Sequence, residues 1–99
     1  MNSKIRSSDV DCLFQAILSL QNIEECYQFF EDLCTISEIK AMAQRFEVAR
    51  MLNQQYVYND IVAKTGASTA TISRVNRCLH YGADGYKLVL ERLEKQKEQ

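Results

Sequence analysis

Proline is absent from this sequence, and glycine occurs only at Gly66, Gly82 and Gly85. A chain with so few breakers can turn sharply at few places, and its apolar residues must set the rest. They do not alternate with polar residues over any long window, so strand signals are poor. Apolar residues instead recur at intervals of three and four, the spacing that lines one side of an α-helix. The expectation is therefore an all-α chain of several short amphipathic helices.

Six such segments can be read. The first runs from about Asp9 to Ser19 behind Ser8 as N-cap, with Val10, Leu13, Phe14, Ile17 and Leu18 on its apolar side. Asn22 opens the second, and Glu25 stands three residues on, the pattern of a capping box. Its stripe is Ile23, Cys26, Tyr27, Phe30 and Leu33. Ser37 is read as the cap of a third helix that reaches about Asn53, with Ile39, Met42, Phe46, Ala49 and Leu52 inward. A short fourth helix spans about Asn59–Thr65, and a fifth about Thr69–His80, ended by Gly82. The sixth, about Asp84–Lys95, carries Tyr86, Val89, Leu90 and Leu93. The charged end, Glu91 to Gln99, is expected to fray.

With 99 residues the chain is read as one domain with a limited core. Helices this short need a covering surface. The aromatic residues crowd near the start, at Phe14, Tyr27, Phe29 and Phe30, so a homodimer through the first two helices is the expected cover. A self-sufficient monomer is the alternative.

Charge is unevenly placed. Residues 8–38 hold seven acidic side chains and no Lys or Arg. Residues 39–82 hold Lys40, Arg45, Arg50, Lys64, Arg74 and Arg77 against Glu47 and Asp60. A basic middle points weakly to an anionic partner, although the net charge is only −1. No apolar run is long enough to cross a membrane. Met1 to Ser8 lacks the apolar run of a secretory signal, so a cytoplasmic protein is expected. Cys12, Cys26, Cys34 and Cys78 form no CxxC pair, and His80 is the single histidine, so neither a zinc site nor a disulfide framework is read. Reduced cysteines buried in the core are expected instead. No paired acid and base, no nucleophile with its base and no phosphate-binding glycine loop appears, which argues against an enzyme.

The most informative stretch lies between residues 58 and 80. Gly66 can adopt the left-handed conformation that stops a helix abruptly. Ala67 is small enough for a tight turn, and Ser68 can cap the next helix through its hydroxyl. This is the pattern of a helix-turn-helix. Ile72, Val75 and Leu79 of its second helix fall on one side and pack inward, while Ala70, Ser73, Arg74 and Arg77 fall opposite. Thr69 and Thr71 flank them near the helix start. Short side chains let a backbone approach bases, hydroxyls bond base edges or phosphates, and arginines pair with guanine or phosphate. The residues read as touching double-stranded DNA are therefore Asn59, Lys64, Ser68, Thr69, Ala70, Thr71, Ser73, Arg74 and Arg77. A helical interaction module without DNA binding is the alternative.

The run Gly66-Ala67-Ser68-Thr69-Ala70-Thr71-Ile72-Ser73-Arg74, preceded by Ile61-Val62-Ala63-Lys64 and by Ala41-Met42-Ala43-Gln44-Arg45, resembles the Trp repressor superfamily. Phe29 to Thr35 and Thr71 to Arg77 are closer to its YerC/YecD branch. The resemblance runs from about Val10 to Leu93. It implies an intertwined, six-helix homodimer that regulates transcription, as a repressor, by reading DNA. It also implies an effector pocket bracketed by Arg45 and Arg74, the positions that match the arginines around tryptophan in the family. At Val75 the family has glycine, at Cys78 serine, at Val62 lysine and at Asn59 arginine. A β-branched Val75 crowds the place of the indole, so no tryptophan corepressor is expected, and any small effector would have another chemistry.

Overall fold

In a computed structural model, which describes residues 4–98, six α-helices and no strand are found among the described residues. They are α1 (Ser8–Leu18), α2 (Ile23–Leu33), α3 (Ile36–Asn53), α4 (Tyr58–Thr65), α5 (Thr69–Tyr81) and α6 (Gly85–Lys97). The all-α expectation and the helix order hold. None of these helices is long and apolar enough to cross a membrane.

The helix starts show where local chemistry is decisive. Ser7, one residue before the expected Ser8, caps α1 by accepting from the Val10 N–H at 3.2 Å. The capping box of α2 forms as read: Asn22 Oδ1 accepts from the Glu25 N–H, and Glu25 Oε1 reaches back to the Gln21 N–H, both at 2.9 Å. The start of α3 corrects the reading of Ser37. Thr35 Oγ1 accepts from the Glu38 N–H at 3.1 Å, and Glu38 Oε1 accepts from the Thr35 N–H at 2.8 Å. That reciprocal pair satisfies two otherwise orphaned donors, which a cap at Ser37 cannot do with Ile39-Lys40 following. The Thr35 N–H, and after it the Thr35 side chain, hold the Glu38 carboxyl below its ordinary value. At the other end α6 stays helical to Lys97, beyond the fraying expected from Glu91, with Lys95 3.5 Å from Glu91 one turn back; Gln99 lies outside the described residues.

The chain divides into two compact units, residues 1–39 and 40–99, with the boundary inside α3. In the first unit neither α1 nor α2 buries a residue, and Phe14, Leu18, Ile23, Tyr27 and Leu33 are all exposed. The cysteines of this unit therefore do not enter a core: Cys12 and Cys26 are exposed and Cys34 is half-buried. Cys78, in the second unit, is exposed too, against the expectation of four core thiols. It shares α5 with the buried stripe but sits one residue off it.

The second unit contains the core. Val48, Ala49 and Met51 of α3 pack with Ile61 of α4, Ala67 of the turn, and Ile72 and Val75 of α5. Leu52 and Tyr86 lie against this cluster, and Leu90 of α6 is buried. On α3 the inward stripe is thus 48, 49, 51 and 52: of the expected Ile39, Met42, Phe46, Ala49 and Leu52, only Ala49 and Leu52 belong to it. Met42 is exposed and Phe46 only half-buried. An 18-residue helix spans five turns, and only its later turns face the second unit's core.

Candidate nucleic-acid interface

Positioning of α5 begins at the turn. Gly66 has φ +71° and its N–H bonds the Val62 carbonyl, ending α4 in the left-handed cap. Thr65 then ties the corner: its hydroxyl donates to the Ile61 carbonyl at 2.7 Å and accepts from the Ala67 N–H at 3.1 Å. Gln44 of α3 donates from Nε2 to the Thr65 carbonyl at 3.1 Å, an anchor 21 residues away in sequence. Ala67 is buried, so its small side chain seats the corner on the core. Ser68 caps α5, accepting from the Thr71 N–H at 3.1 Å. The turn read from Gly66, Ala67 and Ser68 is the turn observed.

Behind this corner Ile72, Val75 and Leu79 are buried, and they fix the rotation of α5 about its axis. The opposite side is left to solvent. Asn59, Lys64, Ser68, Thr69, Ala70, Ser73, Arg74 and Arg77 are all exposed, and Thr71 is half-buried. Thr71 is more constrained than the sequence indicates, because the Ser68 hydroxyl also donates to its Oγ1 at 3.1 Å. Thr69 and Ser73 carry the hydroxyls of this face that no such bond engages.

Charge on this face is one-sided. From Tyr58 to Tyr81 the cations are Lys64, Arg74 and Arg77, and the one carboxylate is Asp60. Among the described residues neither Arg74 nor Arg77 makes an ion pair, whereas Arg50 pairs with Glu47 and Lys95 with Glu91. Arg50 is the contrast. It holds Glu47 through two parallel bonds of 2.7 and 2.8 Å, which lower the Glu47 carboxyl and raise the guanidinium. Arg74 and Arg77 are both exposed to solvent.

The effector reading fares differently. Arg45 is half-buried on α3 and Arg74 exposed on α5, and no bond joins them. Val75 is 1 % exposed and belongs to the core cluster with Val48, Ala49 and Met51. The β-branched side chain read as crowding the space beside Arg74 is thus packed into the core. The buried stripe at 72, 75 and 79 already required this. Sequence reading also missed Gln44, whose reach to the turn carries no local signal, and a solvent-open trough that runs from Tyr58 along α5.

The family model for Trp repressor protein matches residues 8–94. The chain belongs to the Trp repressor family. It is 58% identical over 91 residues to the uncharacterized protein YerC of Bacillus subtilis (strain 168), covering 92% of this chain and 88% of that one. The crystal structure of a TrpR-like protein from Eubacterium eligens ATCC 27750 superposes with a TM-score of 0.91 at 61% identity, covering 94% of this chain and 96% of that one. A second solved structure, from Staphylococcus aureus, gives 0.90 at 53% identity, with 95% of both chains covered. The six-helix, Trp-repressor-like fold is thereby established, and the branch of the family is that of YerC.

Proposed function

We propose that this Trp repressor family member is a homodimeric, sequence-specific DNA-binding regulator of transcription, acting as a repressor. One observation carries the reading most. The N-terminal half of α5 presents Thr69, Ala70, Ser73 and Arg74 to solvent on a helix whose rotation is locked by three buried residues. A recognition helix needs that combination, because base edges are met by the first turns of a helix entering the major groove. The unpaired guanidinium groups supply phosphate or guanine contacts.

The dimer rests on the first unit. Leu18, Ile23 and Ile36 are each more than 70 % exposed, with Phe14, Tyr27 and Leu33 beside them in the sequence. A second copy of the chain covers this apolar surface. A two-fold dimer also suits DNA reading, since paired helix-turn-helix units address two half-sites. The reading includes no tryptophan corepressor: Val75 fills the space between α5 and the later turns of α3. Regulation then proceeds without an effector or through one of different shape.

Selection of bound sequences from a random duplex pool tests the reading. Enrichment of a two-fold symmetric site supports it, and affinity should fall steeply with salt as counterions are released. Failure to bind any duplex at low salt would leave the chain as an interaction module.

A further inference from the structure

The α4–α5 corner and α5 are held on α3 in two ways. Val48, Ala49 and Met51 pack with Ile61, Ala67, Ile72 and Val75, and such apolar contacts supply adhesion without direction. Among the described residues one hydrogen bond joins α3 to this pair of helices, from Gln44 Nε2 to the Thr65 carbonyl at 3.1 Å. A hydrogen bond has a preferred length and angle, so it fixes direction where apolar packing does not.

Position 44 falls four residues before Val48 and eight before Leu52, so it continues the inward stripe of α3 by one turn. At that point the stripe carries a carboxamide and not an apolar side chain. Gln44 and Thr65 are both half-buried. Thr65 ends α4, and its carbonyl is one of the last four of the helix, which have no intrahelical partner. Gln44 supplies that partner. The connection continues into α5. The Thr65 hydroxyl accepts from the Ala67 N–H, and Ser68 beside it caps α5 by accepting from the Thr71 N–H, both at 3.1 Å. A continuous run of hydrogen bonds and backbone thus leads from α3 to the first turn of α5.

We infer that Gln44 is a positioning residue for DNA recognition: its carboxamide sets the direction in which α5 presents Thr69, Ala70 and Ser73. The inference rests on the regulator reading above and adds a residue outside the DNA-facing set. α5 has 13 residues and is roughly 20 Å long. A tilt of a few degrees about the core displaces its end by about an ångström, more than the spread of hydrogen-bond lengths. One half-site tolerates such a tilt, because the whole protein can shift on the duplex to follow it. Two half-sites on one duplex do not, because the separation of the two α5 helices must then match the separation of the sites. Gln44 therefore acts on the reading of spacing, while Thr69 and its neighbours act on the reading of bases.

Fluorescence anisotropy tests this on three probes: the duplex selected from a random pool, the same duplex with one base pair inserted between its half-sites, and a duplex carrying one half-site. Gln44→Met keeps the length of the side chain and removes the donor. Gln44→Glu keeps its shape and, when ionised, sets an acceptor against the Thr65 carbonyl. The site is half-buried, so water can reach the freed carbonyl and both variants should stay folded, which thermal melts check. The parent is expected to prefer the selected duplex over the inserted one. In Gln44→Met that preference should contract by about two- to tenfold, the worth of one hydrogen bond, with affinity for the single half-site unchanged. Gln44→Glu should contract it further. An equal loss on all three probes would make Gln44 a support of α5 itself and overturn the inference, as would an unchanged preference in both variants. Loss of the fold in both would make its role structural and overturn it as well. So would a parent that binds the single half-site as tightly as the pair, since no spacing is then read. If the parent binds no duplex, the regulator reading fails and the inference with it; if the parent reads spacing and the variants keep it, Gln44 alone fails.

Discussion

Gly66 stands at φ +71° with nothing within 4 Å of where a Cβ would be. Space is therefore not the constraint there; backbone conformation is. Gly66→Ala should cost about 1–2 kcal/mol, the penalty for an L-residue in the left-handed region. Gly66→Asn should cost less, because asparagine visits that region more readily. Urea denaturation of both variants measures the difference, and equal losses would mean that contacts rather than φ set the cost. Gly82 is the opposite case: a Cβ there would collide with the Cys78 carbonyl, a backbone atom that cannot swing aside. On the exposed face, Thr69→Ala should lower preference for the selected site by roughly 1–3 kcal/mol. Arg77→Ala should instead weaken all duplexes alike. Thr71→Ala is expected to act partly through stability, since Thr71 shares the cap of α5 with Ser68. If Thr69→Ala leaves the preference between selected and random DNA unchanged, α5 does not read bases through that residue.

At the scale of the helix, α3 depends on the reciprocal bonds of Thr35 and Glu38. The Thr35 N–H, and after it the Thr35 side chain, lower the Glu38 carboxyl from its ordinary 4.5. A carboxyl depressed in the folded state contributes stability that is fully present above its unfolded value and is lost as pH falls through the folded one. Stability should therefore decline as pH drops below 4.5, and Glu38→Gln should remove part of that decline. Thermal melts across the acid range, parent against variant, check it; identical pH dependence would assign the decline to other carboxylates, Glu47 beside Arg50 first. The helices themselves were legible in the sequence because each run has an apolar period and the starts of α1, α2, α3 and α5 carry polar caps. Gly66 and Ser68 gave the turn to the residue, since both act through local backbone chemistry. The start of α3 was misplaced by two residues because Thr35 and Ser37 are both able caps, and only the partner at Glu38 separates them. Its end was read at Asn53, yet the chain then passes through a left-handed Gln55, where no glycine marks the change. The exposed face of α5 was legible from that helix alone, as the complement of its buried stripe. The trough was not, because Tyr58 joins Arg77 and His80 only through the tertiary placement of α4. Val75 was legible as part of the inward stripe, and it is packed there.

At the scale of the molecule, the two compact units differ in kind. Residues 40–99 enclose a core built from three helices and a turn, whereas α1 and α2 bury nothing. Monomeric proteins rarely leave large contiguous apolar patches in water. Here Leu18, Ile23 and Ile36 are exposed by 78%, 76% and 74%, and Tyr27 by 60%. Between α2 and the start of α3 lies an apolar groove of about 300 Å³, lined by Ile23, Cys26, Tyr27, Phe30, Glu31 and Ile39. Burying such surface is worth about 25 cal/mol per Å², so leaving it in water forfeits much of what so short a chain can gain. A second copy placed on this surface, as proposed, would recover that energy and make folding depend on concentration. The expected result in sedimentation equilibrium is a dimer at micromolar protein, with a melting temperature that rises with concentration. Tyr27→Glu places a charge on the apolar surface and should shift the equilibrium to monomer. Its effect on the second unit's core should be small, since Tyr27 is exposed in the single chain and is not among the residues of that core. A parent protein that sediments as a monomer across the range, with a melting temperature independent of concentration, would refute the dimer. The DNA result separates the two questions: if the Tyr27→Glu monomer retains phosphate-driven binding but loses the symmetric site, pairing supplies the specificity of spacing and each α5 supplies the contacts.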